Sequence, residues 1–320
     1  MRAAHPRHPA LDLAPEVAEA LAAGRPVVAL ESTVIAHGLP RPDNLELARS
    51  MQACVRARGA VPATIALLDG RIRVGLDDAQ LERLASDGGA RKTSRRDLAA
   101  VLARRELGAT TVAGTLACAA LAGVRLFATG GLGGVHRGGE ASLDVSADLH
   151  ELARSPVAAV CAGAKSVLDL ARTLEVLETL GVPVVGYGTD RFPAFFCRSS
   201  GLALPHRVDG PAQAADLLRL HWALPGAGGV VLAQPPPAAT ALAEAEVEGL
   251  VAEAEVEAAR QGVRGAALTP FLLARLVARS GGRTLAANKA LLLANADSAA
   301  AIAAALSRAE VGPPPAVDPM

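Results

Sequence analysis

The stretch that decides the fold covers residues 125 to 168 and reads RLFATGGLGGVHRGGEASLDVSADLHELARSPVAAVCAGAKSVL. Two apolar runs within it, residues 125–128 and 157–162, predict buried parallel strands. The first run ends in a glycine-rich loop, and the second ends at Gly163 and Lys165, where we expect a helix to begin. Ligands of open α/β sheets bind at the carboxyl ends of the strands, so the residues that follow these two strands predict a site.

The polar residues in and after these loops are His136, Arg137, Asp144, Ser146, Asp148 and Lys165. Each has an ordinary structural explanation. Glycine-rich turns are often only tight connections, Ser146 or Asp148 can cap the next helix, and a lysine at a helix start usually faces solvent. Composition favours a chemical role for Lys165, because only three of the 32 basic residues are lysines: Lys92, Lys165 and Lys289. Lysine, unlike arginine, can lose its proton and act as a nucleophile.

Outward from this stretch, apolar strand-like runs alternate with helical patterns along the chain. Residues 25–30 predict a buried strand that ends at Glu31, and Asp69-Gly70 predicts a type I′ hairpin turn. The alternation, without a long linker or a repeat, predicts one α/β domain over residues 14–310: a three-layer α/β/α fold with a mostly parallel, mixed sheet. We expect residues 1–13 to be a disordered extension and the Pro-rich residues 311–320 to be a disordered tail.

Composition excludes several classes of function. The formal net charge is zero and only 2% of residues are aromatic, so no nucleic-acid polymer is expected as a partner. The four cysteines lack CxxC spacing, the first residues lack the apolar core of a signal peptide, and no uncharged apolar run is long enough for a membrane span. These features predict a cytoplasmic location without a membrane. The run RFPAFFCRSSG, residues 191–201, holds three of the five phenylalanines and predicts a pocket wall or, preferably, an oligomer interface.

The polar residues predicted at strand ends, together with one of the few asparagines, form a set with a definite chemistry: Glu31, Lys92, His136, Arg137, Asp144, Asp148, Lys165 and Asn288. A lysine near carboxylates suits imine formation with a sugar carbonyl, and a carboxylic acid can open a furanose by protonating its ring oxygen. Asp144 with loop carbonyls and water would suit a hard divalent ion such as magnesium or manganese.

Longer runs carry a family resemblance over residues 25–305, in order and without large gaps. The runs are ALESTVIAHGLPRPDN, GAVPATIALLDG, KTSRRDL, GATTVAGT, FATGGLGGVHRG, DVSADLHEL, VCAGAKSVLDL, PAFFCRSS and TPFLLAR. They closely resemble the pseudouridine-5′-phosphate glycosidase family, also called indigoidine-synthase-A-like. The activity of this family, also named pseudouridylate synthase and classed with the carbon–oxygen hydro-lyases, is the reversible cleavage of pseudouridine 5′-phosphate to uracil and ribose 5-phosphate.

The resemblance implies roles for individual residues. Glu31 matches the general acid, Lys165 the lysine that forms a Schiff base with C1′ of the opened ribose, and Asp144 the ligand of Mn²⁺, one ion per subunit, with other divalent ions possible. The matched substrate contacts are Lys92, Val112, Ser146, Ala147, Asp148 and Asn288. We add His136 and Arg137 as substrate contacts because they lie in the glycine-rich loop. The resemblance also implies a homotrimer and a pseudouridine kinase as pathway partner.

The glycosidase reaction itself explains a lysine at position 165. A C-glycoside has no heteroatom leaving group, so an imine is needed as an electron sink. Two alternative functions would use the same residues. A Schiff-base aldolase or lyase acting on another sugar phosphate would need the same lysine and acid. A non-catalytic sugar-phosphate-binding module would bind ribose 5-phosphate without forming an imine.

Overall fold

The computed structural model describes residues 8–308, apart from the side chains of Glu140 and Ala266. Its strands are β1 Leu11–Leu13, β2 Val27–Leu30, β3 Val61–Leu68, β4 Arg71–Val74, β5 Arg91–Thr93, β6 Gly108–Thr110, β7 Leu126–Ala128, β8 Val135–His136, β9 Ala158–Cys161, β10 Leu168–Asp169, β11 Val184–Tyr187, β12 His206–Val208 and β13 Val230–Ala233. Its α-helices are α1 Pro15–Ala22, α2 Asp43–Ala57, α3 Asp78–Ser86, α4 Leu98–Ala103, α5 Val112–Ala122, α6 Gly139–Ser142, α7 Ala147–Arg154, α8 Leu170–Thr179, α9 Pro211–Ala223, α10 Glu244–Arg260, α11 Leu268–Arg279 and α12 Arg283–Arg308. A π-helical turn covers Val34–Gly38, and 3-10 turns cover Arg95–Asp97 and Gly265–Ala267.

An 11-stranded sheet organises these elements in the order β1-β4-β3-β2-β7-β9-β13-β11-β12, with β6 joined to β3 and β5 joined to β6. Its strands are parallel except where β3 meets β4 and β6. This confirms the mostly parallel, mixed sheet. The hairpin between β3 and β4 is also confirmed, since Asp69 and Gly70 both have positive φ, 54° and 80°, as a type I′ turn requires.

Helices cover both faces of the sheet, which completes the three layers. Helix α12 packs on β2, β7 and β9 between α2 and α9, whereas α5 packs on β2, β3 and β4 beside α7. The all-buried strands β2, β7 and β9 consist mainly of alanine, valine and leucine, as double-sided burial demands. Within residues 8–308, α12 is the one helix long and apolar enough to span a membrane, and its contacts with three strands identify it as a core helix.

Register at the centre of the sheet determines which side chains meet. Leu30 of β2 lies opposite Ala128 of β7, and Ala128 lies opposite Val160 of β9. The three strands are parallel, so their carboxyl ends form one edge. Glu31 and Thr129, the next residues of β2 and β7, therefore leave the sheet side by side.

Some predictions were wrong in detail. Leu11–Leu13 is not disordered but forms an edge strand parallel to β4, while the expectations for residues 1–7 and for the 311–320 tail lie outside the described residues. The helix expected from Lys165 begins only at Leu170, because Asp169 caps it by accepting the Arg172 N–H at 3.0 Å.

Residues 191–201, the phenylalanine loop, do not form the oligomer interface that was the favoured prediction. Phe192, Phe195 and Phe196 are at most 2% exposed within a single chain. They complete the chain's own core instead of offering an apolar surface to a partner. The less favoured alternative, a pocket wall, holds for Phe195.

Candidate active site

A cavity of about 420 Å³ opens at the carboxyl edge of the sheet. It collects every predicted site residue except Arg137: Glu31, Lys92, Val112, His136, Asp144, Ser146, Ala147, Asp148, Lys165 and Asn288. These residues come from the ends of β2, β5, β8 and β9, the starts of α5 and α7, and the face of α12 that carries Asn288. A volume of this size suits a nucleotide-sized ligand.

Glu31 faces this cavity from the end of β2. Desolvation raises the pKa of its carboxyl above the ordinary value, while the charge of Lys165 and a hydrogen bond donated by Thr129 oppose that rise. The raised pKa favours the protonated form. A protonated carboxyl in a pocket is what a general acid requires.

Lys165 follows β9 in a tight turn. Gly163 adopts a φ of 76°, the Lys165 N–H donates to Leu132 O at 3.1 Å, and the Nζ donates to Gly131 O at 2.9 Å. Gly131 O thus holds the amine beside the glycine-rich loop. Lys165 and Glu31 both line the cavity, so the amine and the acid face the same space.

Other basic side chains gather near Lys92, on β5. Desolvation lowers the pKa of Lys92 and the charge of Lys165 lowers it further. Desolvation likewise lowers the pKa of His37, whose Nε2 lies 2.9 Å from Ala90 O. Arg96 adds a third basic side chain to the same lining. This concentration of basic groups fits an anionic ligand such as a phosphate monoester.

Ser146 and Asp148 have clear structural roles as well as positions in the cavity. Ser146 is the N-cap of α7, and its Oγ accepts the Asp148 N–H at 3.2 Å. Asp148 is 6% exposed, and its two oxygens accept the N–H groups of Ala113 and Gly133, each at 2.8 Å. Asp148 therefore joins the start of α5 to the glycine-rich loop.

Asp144 is the candidate metal ligand, and the surrounding donor set limits the kind of site. It lines the cavity and is partly exposed. No group of three or more His, Cys, Asp or Glu side chains suited to a metal occurs within residues 8–308. A single carboxylate fits a hard ion that keeps most of its water, as Mg²⁺ and similar ions do, but does not fit an ion enclosed by protein ligands.

Arg137 is the predicted site residue that the structure places elsewhere. It lines a separate cavity, where its guanidinium donates to Glu248 at 2.9 Å and to Ser166 O at 3.3 Å. Successive residues of a strand point to opposite sides, so His136 in β8 and Arg137 just after it diverge. Arg137 therefore lies outside the cavity that collects the other predicted site residues, and its contact with the substrate stays a prediction.

Several residues that sequence reasoning missed also line or support the cavity: Thr33, His37, Ser94, Arg96, Thr129, Thr269 and Pro270. Most lie in the runs that carry the family resemblance, for example Thr129 in FATGG and Thr269 in TPFLLAR. Thr129 directly follows β7, as Glu31 directly follows β2. The position of Thr129 beside Glu31 could therefore have been predicted from the strand ends alone. Thr269 and Pro270, in the first turn of α11, follow no strand and gave no such local signal.

The sequence also matches known proteins. Residues 16–305 match the family described as indigoidine synthase A like protein. The chain belongs to this family. A Cupriavidus pinatubonensis protein named pseudouridine-5′-phosphate glycosidase is 56% identical over 302 residues, which cover 94% of this chain and 96% of that protein. A Methylobacterium nodulans protein of the same name is 55% identical over 309 residues, with 97% and 92% covered.

Two solved structures share the fold of this family member. The prealnumycin C-glycosynthase AlnA, in complex with ribulose 5-phosphate, superposes with a TM-score of 0.88 at 43% identity, covering 95% of this chain and 99% of that one. An indigoidine synthase A-like protein from Thermotoga maritima gives a TM-score of 0.86 at 36% identity over the same shares.

Proposed function

We propose that this chain is a pseudouridine-5′-phosphate glycosidase, which reversibly cleaves pseudouridine 5′-phosphate into uracil and ribose 5-phosphate. The observation that carries the proposal is that Glu31 and Lys165 meet in one cavity, in a chain 56% identical to a protein of that name. The C-glycosynthase structure with bound ribulose 5-phosphate supports a sugar-phosphate ligand for this fold.

The bond to be broken joins two carbon atoms, and this decides which side chains are needed. Most glycosidases protonate the heteroatom through which the aglycone leaves. Uracil leaves through its C5 carbon, so that route is closed. A neutral lysine can supply the missing electron pair, because it adds to C1′ and then releases its electrons as the carbon–carbon bond breaks. Arginine stays protonated and cannot replace it.

The two residues act in sequence. Glu31 donates its proton to the ring oxygen as the O4′–C1′ bond breaks, and electrons from the uracil ring form a C1′–C5 double bond. The neutral amine of Lys165 adds to C1′, and the proton that its nitrogen then loses is taken up by C5. The C1′–C5 bond breaks, the lysine nitrogen forms a protonated imine with C1′, and neutral uracil departs. Water then hydrolyses the imine and releases ribose 5-phosphate, and the lysine nitrogen returns a proton to Glu31, so that both residues are restored.

The remaining lining residues bind and orient the substrate. Lys92 and Arg96 supply positive charge for the phosphate, and Asn288 offers an amide to a sugar hydroxyl or the base. Asp144 would hold Mn²⁺ or another hard divalent ion, which would supply positive charge for binding the anionic substrate. The single carboxylate of Asp144 supports such a largely hydrated ion.

The assembly and the cellular setting follow from the family resemblance. We infer a homotrimer in the cytoplasm, fed by a pseudouridine kinase that makes the 5′-phosphate. The buried phenylalanine loop offers no support for the trimer, so its interface must use other surfaces.

Incubation with uracil, ribose 5-phosphate and Mn²⁺ tests the activity. We expect the wild type to form pseudouridine 5′-phosphate, and borohydride to trap a ribose 5-phosphate adduct that peptide mass mapping assigns to Lys165. Lys165→Arg keeps the charge but cannot form the imine, so turnover should fall by at least about 10³-fold. Lys289→Arg is the matched control, because Lys289 forms an ion pair with Asp43 at 2.6 Å and should keep its activity.

The same assay separates the alternatives. An adduct on Lys92 or Lys289 would overturn the assignment of Lys165, and activity in Lys165→Arg without any adduct would overturn the Schiff base. An adduct without pseudouridine 5′-phosphate would indicate an aldolase or lyase on another sugar phosphate. Binding of ribose 5-phosphate with neither result would indicate a non-catalytic module.

A further inference from the structure

A short chain of hydrogen bonds links the core helix α12 to Glu31. Asn295 Nδ2 donates to Thr129 O at 2.8 Å and to Gly130 O at 3.4 Å. The hydroxyl of Thr129 in turn donates to Oε1 of Glu31. Thr129 thus makes a directional contact with the acid, beside the charges of Lys165 and Lys92.

Burial fixes the position of Thr129 itself. Thr129 is fully buried and Asn295 is 1% exposed. The Thr129 N–H donates to Val160 O of β9 at 3.1 Å, so the strand holds one side of this residue and the helix amide holds the other. A buried amide in a helix of alanines and leucines costs free energy unless it is hydrogen-bonded, and the bonds to Thr129 and Gly130 offset that cost.

We propose that Thr129 is a positioning residue for Glu31, and that Asn295 holds Thr129 in place. A threonine hydroxyl has one proton, and here it is given to Oε1 of Glu31. Oε1 is therefore an acceptor, so the acidic proton is carried by Oε2, the oxygen left to face the ring oxygen of the sugar. The inference rests on the proposed function, because it assigns Thr129 a part in that protonation.

The electrostatics give the positioning role a signature. The hydrogen bond from Thr129 lowers the pKa of Glu31 against the larger rise caused by desolvation. Its loss would raise that pKa further. The protonated form of Glu31 would then persist to higher pH but would be a weaker and less well oriented acid.

Thr129→Val and Thr129→Ser are the matched variants, because valine keeps the shape without the hydroxyl and serine keeps the hydroxyl. We expect Thr129→Val to lower kcat about 10- to 100-fold, as for a lost hydrogen bond to a charged or reacting group, with little change in KM. The alkaline limb of its kcat/KM profile should move to higher pH. Thr129→Ser should restore kcat to within about threefold of wild type and should restore the profile. Thermal unfolding and borohydride trapping at Lys165 should show that both variants are folded and can form the imine.

A double variant isolates the path through Glu31. If Thr129 acts through the acid, adding Thr129→Val to Glu31→Gln should not lower the residual kcat of Glu31→Gln any further. Wild-type kcat and pH profile in Thr129→Val would overturn the proposal. Equal losses in the valine and serine variants with an unmoved profile would also overturn it, since they indicate packing alone. Absence of pseudouridine 5′-phosphate synthesis by the wild type would instead refute the proposed function.

Discussion

Asp144 and Asp148 lie four residues apart, and their carboxylates have different surroundings. Both oxygens of Asp148 accept backbone N–H groups, so its carboxylate is used to fix α5 against the glycine-rich loop. The Asp144 carboxylate has no hydrogen bond within the described residues and is partly exposed to the cavity. Only the second arrangement leaves carboxylate oxygens available to an ion.

Asp144→Ala should therefore abolish the Mn²⁺-dependent turnover and leave the fold intact. A partly exposed loop carboxylate contributes little packing, so the free energy of unfolding should change by less than about 0.5 kcal/mol. Activity measured across a Mn²⁺ titration, with and without chelator, checks the first point and urea unfolding the second. Asp78→Ala, which removes a surface partner of Arg49, is the control and should keep the metal response. Full activity of Asp144→Ala, or of wild type in excess chelator, would contradict a metal role.

At the scale of elements, the sequence predicted what long apolar runs can show. Strands β2, β7 and β9 and their polar ends were found because double-sided burial gives continuous apolar segments. Strands β5 and β6, three residues each, escaped notice because residues such as Arg91 and Gly108 carry no strand pattern. They are strands only because β6 pairs with β3 and β5 pairs with β6. Lys92 was therefore predicted as a site residue without the strand that positions it.

The packing of Phe195 on the glycine-rich loop is a second case where a contact between distant residues, and not a local sequence pattern, decides the structure. Phe195 adopts a φ of 59°, a conformation rare for a bulky residue, and its ring lies against Gly131. A Cβ on Gly131 would come within 2.5 Å of the Phe195 ring. The loop must carry glycine here for Gly131 O to reach Lys165 Nζ. No sequence pattern predicts this contact, because its two parts are more than sixty residues apart.

Gly131→Ala tests this contact. It should destabilise the fold by about 1–3 kcal/mol through overpacking, and it should also lower kcat because Gly131 O moves away from Lys165. Gly249→Ala is the control, since Gly249 lies in α10 with nothing near its missing Cβ, and it should stabilise the fold by about 0.5–1 kcal/mol with unchanged kcat. Denaturant unfolding and steady-state kinetics measure both effects. Unchanged kcat in a folded Gly131→Ala variant would show that turnover does not depend on the contact of Gly131 O with the Lys165 amine.

At the scale of the whole molecule, the site gathers charge in a protein whose net charge is zero. Glu31 and Lys165 sit at the edge of a sheet whose central strands, β2, β7 and β9, are entirely apolar and buried. Such surroundings disfavour the ionised carboxylate of Glu31 and raise its pKa. A neutral side chain at position 31 would therefore give a more stable fold than the ionised carboxylate.

Replacement of Glu31 by glutamine should therefore stabilise the protein in a pH-dependent way. A carboxyl whose folded-state pKa lies above its unfolded value, about 4.3, binds more protons in the folded state between those two pKa values. Wild-type stability is consequently lost as pH rises through the raised pKa, whereas glutamine does not titrate. Urea unfolding of both proteins should show similar free energies below about pH 4.3 and a growing advantage for Glu31→Gln above it, together with loss of turnover. A variant that is less stable than wild type at pH 8 would mean that the Glu31 carboxylate is stabilised by its neighbours, and that desolvation does not dominate its titration.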